Sequence, residues 1–98
     1  MEFRIRGPFK NTIYNLMRYI GYHFVGKSGR ELNFVRSVAG NAFPRFDVYL
    51  TVEGEEILFD LHIDQKRPIY SGTVAHAGEY QGAVVEKEAS RIKENLNR

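Results

Sequence analysis

Apolar and polar residues alternate most regularly along PRFDVYLTVEGEEILFDLHIDQK, residues 44–66. A period of two sends successive side chains to opposite faces of a strand. If Gly54 and Glu55 form a two-residue hairpin turn, Phe46, Val48, Leu50 and Val52 oppose Ile63, Leu61, Phe59 and Ile57 on one apolar face. The other face pairs Arg45 with Asp64, Asp47 with His62, Tyr49 with Asp60, Thr51 with Leu58 and Glu53 with Glu56. A slip of one residue would mix the faces, so the pattern specifies the register.

Elsewhere the periods are shorter-lived. Phe3, Arg4, Ile5 and Arg6 alternate like a strand or a frayed tail. Pro8 suits a helix start, and Phe9, Ile13, Leu16, Met17 and Ile20 recur at three- and four-residue spacing, which predicts a helix over 8–20 closed by Gly21. Leu32, Phe34 and Val38 alternate with Asn33 and Ser37 as in a half-buried strand, with Tyr22 to Val25 as its hairpin partner across a Gly26 to Gly29 turn. Residues 39–44 and 65–82 show neither period, so both are expected to be loops, the second a long one. From Ala83 the stripe Val85, Ala89, Ile92 and Leu96 predicts a C-terminal helix.

The expected fold is one α+β domain over residues 1–98, in the order α-β-β-β-α. It comprises a three- to four-stranded antiparallel sheet with an N-terminal and a C-terminal helix packed on one face. A chain of 98 residues, 43% apolar and carrying seven Phe and six Tyr, has enough material for one core. With no Cys it has no disulfide, thiolate ligand or thiol nucleophile. It has no apolar run of the ~18–20 residues that would span a bilayer, and MEFRIRGPF lacks the apolar stretch of a signal peptide. These features together lead to the expectation of a cytoplasmic protein without membrane partners.

Charge is uneven within a net balance of +2. Residues 1–45 carry Arg4, Arg6, Lys10, Arg18, Lys27, Arg30, Arg36 and Arg45 against Glu2 and Glu31, whereas residues 46–98 are predominantly acidic. A basic half with aromatics interleaved is the composition that contacts phosphates and stacks bases. This favours a small non-enzymatic binding module for nucleic acid, RNA or DNA, using Arg18, Tyr22, Lys27, Arg30 and Arg36. The polar sheet face and the HAGEY segment of residues 76–80, with Tyr80, form its second surface. The element order is shared by double-stranded-RNA-binding domains, although that family presents a basic cluster where this C-terminal helix begins AVVEKEAS, with Glu86 and Glu88.

Two further patterns touch on chemistry. GYHFVGKS, residues 21–28, matches the P-loop string literally, but a helix precedes it and a strand follows, the reverse of what phosphate binding at a helix N-terminus needs. Asp47 followed by Asp64-Gln65-Lys66 resembles the PD-(D/E)xK nucleases. That resemblance implies a metal-dependent phosphodiester hydrolase, with Asp47 and Asp64 holding Mg²⁺ or Mn²⁺ and Lys66 as electrostatic helper. A wider metal set would join Asp47, His62 and Asp64 with His76 and Glu79. The binding module needs no cofactor. The other expectation for the polar face is cross-strand ion pairs, Asp47 with His62 and Arg45 with Asp64. A third reading is a protein-interaction domain that associates through a sheet edge.

Overall fold

The protein is described from a computed structural model covering residues 1–65 and 77–96, with the side chains of 77–81 outside the description. The elements run β1 (Glu2–Arg6), α1 (Ile13–Tyr19), β2 (His23–Ser28), β3 (Glu31–Ser37), β4 (Arg45–Glu53), β5 (Glu56–Asp64) and α2 (Ala77–Leu96). The strands form one antiparallel sheet in the order β1-β5-β4-β3-β2. The expected sheet of three to four strands with a helix from each end of the chain packed on it is therefore corrected: among the described residues there are five strands, and α2 is the helix that lies across them.

The β4–β5 register follows the alternation pair for pair, from Arg45 opposite Asp64 to Glu53 opposite Glu56. Gly54 has φ +64° at the first central position of the turn, a backbone conformation that costs a residue without Cβ little. The β2–β3 hairpin turns at Gly29 and Arg30, with Gly29 at φ +61°, and not across Gly26 to Gly29. Gly26 stays in β2 opposite Asn33, because a bulge at Val25 absorbs one residue and shifts the register.

The amino-terminal alternation is a strand. Phe3 faces Phe59 and Ile5 faces Ile57 along the free edge of β5. The Phe3 ring stacks on Phe59, with centroids 4.9 Å apart and planes 9° from parallel. Helix α1 is shorter than the spacing predicts. Thr12 is its N-cap, accepting the Asn15 N–H at 3.2 Å, so the chain from Pro8 to Asn11 stays outside the helix. Its other end closes at Gly21 as expected: Gly21 N–H donates to Arg18 O (3.0 Å) and Tyr22 N–H to Met17 O (2.8 Å), a Schellman closure.

One sheet face carries the core. Ile5, Leu32, Phe34, Phe46, Val48, Leu50, Ile57, Phe59 and Leu61 meet Val85, Ala89, Ile92 and Leu96 of α2, and Met17 of α1 closes one end. Helix α2 begins at Ala77, so the expected loop over 65–82 gives its last six positions to the helix. Gly78 and Gly82 lower helix propensity by about 1 kcal/mol each relative to Ala, too little to stop a helix anchored by this stripe.

Candidate functional site

Among the described residues, three polar regions contain the chemistry-bearing side chains. The first is the sheet face opposite the core, where Asp47, His62 and Asp64 lie as the register requires. Asp47 is 9% exposed and accepts from Asn33 Nδ2 at 3.3 Å. His62 does not pair with Asp47 across the strands. Its Nε2 stands 2.9 Å from Asp60 Oδ1 on its own strand, and its ring meets Tyr49 edge-on at 6.2 Å. Burial, and then the neighbouring carboxylates led by Asp47, push the Tyr49 phenol above its ordinary range.

Arg45 Nε is 3.8 Å from Asp47 Oδ2 and 3.9 Å from Asp64 Oδ2. A guanidinium thus stands between the two carboxylates to which the nuclease resemblance assigns a metal. No three His, Asp or Glu side chains converge as a metal-binding group among the described residues. Lys66 and His76 lie outside the described residues. The Glu79 backbone is in the first turn of α2, and its side chain is outside the description, as is that of Tyr80. Among the described residues of this face Glu2, Glu31, Asp47, Glu53, Glu56, Asp60 and Asp64 outweigh Arg4, Arg6 and Arg45, so its field repels polyanions.

The second region is the margin formed by α1 and β2. Tyr14 and Phe24, 44% and 46% exposed, meet edge to face at 5.2 Å, and Phe24 in turn leans on buried Phe34 at 5.4 Å. Arg18 is exposed one helical turn after Tyr14, and exposed Lys27 lies beyond Phe24 on β2. Arg30 sits in the hairpin turn and donates to Val52 O at 3.1 Å. Lys27 and Ser28 of the P-loop string end a strand, so no helix amides converge there.

The third region was not foreseen. Glu88, 4% exposed, is a carboxylate inside the apolar stripe of α2. Tyr22 Oη donates to Glu88 Oε2 at 2.7 Å. Arg91 donates from Nε to Oε1 and from one terminal nitrogen to Oε2, both at 2.8 Å, and that terminal nitrogen also reaches Ile20 O at 2.7 Å. Arg36 adds a longer bond to Oε1 at 3.3 Å. Of the six residues expected to bind nucleic acid, Tyr22 and Arg36 meet here on Glu88, while Arg18, Lys27 and Arg30 lie on the α1–β2 side. Tyr22, 1% exposed, has no ring face open to a base. The signal in the sequence was positional: Glu88 is three residues after Val85 and four before Ile92, an acid on the buried face.

Burial, then the adjacent Glu88 carboxylate, holds the Tyr22 phenol far above its ordinary value of 10.0. A group raised on folding stabilises the protein fully below its unfolded pKa, and that contribution is lost as pH rises above it. Stability is therefore expected to fall from about pH 10 upward. Tyr22→Phe should be less stable at neutral pH by roughly 1–3 kcal/mol and should fall less steeply in alkali, read from urea midpoints of both proteins. Parallel alkaline slopes would mean that this phenol does not couple to folding.

No protein-family model matches the chain, and no curated protein or solved structure matches it either. No helix among the described residues is long and apolar enough to cross a membrane. The small antiparallel-sheet α+β architecture is thus the class in which the protein stands.

Proposed function

We propose that the protein is a small non-enzymatic module that binds single-stranded RNA on the α1–β2 margin. The observation that carries this reading is the exposed Tyr14–Phe24 pair, flanked by Arg18 and Lys27, within residues 3–30, which contain no Asp or Glu. Exposed rings stack on unpaired bases whatever their identity, and neighbouring cations hold the phosphates. The acidic opposite face favours confining a polyanion to this margin. The Val25 bulge and Lys27 oppose the addition of a further strand to the β2 edge, so side chains and not backbone are the natural contacts. The hydrolase alternative is weaker, because the Arg45 guanidinium already stands between the two carboxylates it needs.

The test is fluorescence anisotropy of a labelled uridine dodecamer across a salt series. Saturable binding is expected, with a log–log salt slope near −2 if Arg18, Lys27 and Arg30 each contact one phosphate at about −0.7 apiece. Tyr14→Ala should weaken binding about tenfold, within the usual worth of one stacked base, while Tyr14→Phe should retain it. A deoxyuridine dodecamer separates RNA from DNA as the preferred strand. Absence of binding to either at low salt would sink the proposal.

A further inference from the structure

Between α2 and the β3–β4 side of the sheet lies an open groove of about 570 Å³. Its size falls within the range of small-molecule sites. We propose that it binds a small amphiphilic anion, a carboxylate with an apolar body, with Arg36 and Lys87 receiving the carboxylate and Val38, Phe46 and Val84 the body.

Charge and geometry carry this assignment. Arg91 grips Glu88 with two parallel bonds of 2.8 Å, enough to neutralise one carboxylate. The second guanidinium on that carboxylate, Arg36, makes one longer bond of 3.3 Å, and its side chain is 33% exposed. It brings one more positive charge than Glu88 requires. Lys87 adds another, and Glu94 is the remaining acid among the described residues of the groove wall, whose lining is left with an excess of one positive charge. A monoanion balances that excess.

The receiving group is also held in place. A Cβ on Gly21 would stand 3.1 Å from Arg36 Nε, so the guanidinium packs over the bare glycine that ends α1. Its bond to Glu88 fixes the other side. A cation ordered before the ligand arrives spares much of the entropy of fixing a long side chain on binding. The site does not use Tyr14, Phe24, Arg18 or Lys27, so it stands apart from the RNA-binding reading.

Octanoate is the probe, added to the ¹⁵N-labelled full chain and followed by two-dimensional NMR. Saturable shifts are expected at the amides of Arg36, Val38, Phe46, Val84 and Ser90, with a dissociation constant in the millimolar range or below. Octanol, which lacks the charge, and acetate, which lacks the body, should each bind at least tenfold more weakly. Lys87→Gln alters an exposed side chain and leaves the Glu88 contacts intact, and Arg36→Gln leaves Arg91 on Glu88. Both should weaken octanoate about tenfold, the usual scale for one charge-assisted bond, with the spectrum unchanged away from the substituted residue and its contacts. Octanol binding as well as octanoate, shifts that do not saturate, or no loss in either variant would overturn the proposal.

Discussion

Replacing Glu88 by alanine should destabilise the protein by about 3–5 kcal/mol, the usual cost of removing one partner from a buried charge pair. The carboxylate satisfies Tyr22, Arg36 and Arg91 together. Without it the Tyr22 hydroxyl has no acceptor in a site that is 1% exposed, and Arg91 keeps only its bond to Ile20 O. The cluster joins the start of β2, the β3 strand and α2, so its loss should loosen the helix from the sheet. Glu88→Gln retains an acceptor for Tyr22 and a similar volume, and should lose less. Urea unfolding followed by circular dichroism measures both. A loss below about 1 kcal/mol for the alanine variant would mean that the cluster behaves as a hydrated surface network.

Phe59→Ala should cost a comparable amount, about 3–5 kcal/mol, through lost transfer energy and the cavity left behind. Phe59 is fully buried in β5, opposite Leu50 on one side and Phe3 on the other. Its ring is the surface on which Phe3 stacks, and Lys93 of α2 stands 5.1 Å from the Phe3 ring centre on a neighbouring element. The effect should therefore be uneven. Amides of β1 should lose hydrogen-exchange protection before those of β4, because β1 is an edge strand whose backbone ladder is formed with β5. Uniform loss across the sheet would show that β1 unfolds with the whole domain.

The β4–β5 hairpin was legible because every second residue of both strands is apolar on the core side, and only one register brings those positions together on one face. The stripe Val85, Ala89, Ile92 and Leu96 was legible for the same reason at the helical period. The start of α1 was misplaced because Pro8 is compatible with a helix start, while the hydroxyl of Thr12 supplies the actual cap. The glycines at 78 and 82 suggested a loop, yet their local cost is small beside what the packed part of α2 gains. For the candidate site, local pattern identified exposed Arg18, Lys27 and Arg30 as cations but did not select the Tyr14–Phe24 pair, whose partners come from different elements. On the polar face the pattern correctly placed Asp47 opposite His62, but it did not show that His62 would turn to Asp60 or that Arg45 would lie between two carboxylates.

By itself, then, the sequence determined what repeats locally: strand and helix periods, the hairpin register, and the division into a basic amino-terminal and an acidic carboxy-terminal part. Such features depend on neighbours a few residues apart, whose geometry a regular backbone already sets. The tertiary structure alone decided that residues 2–6 complete the sheet beside β5, that Tyr22, Arg36, Glu88 and Arg91 share one buried cluster, and that a groove opens beside it. Tyr22 and Glu88 are 66 positions apart. Contacts at that separation depend on how whole elements pack, and burying a carboxylate becomes tolerable only when that packing delivers its donors.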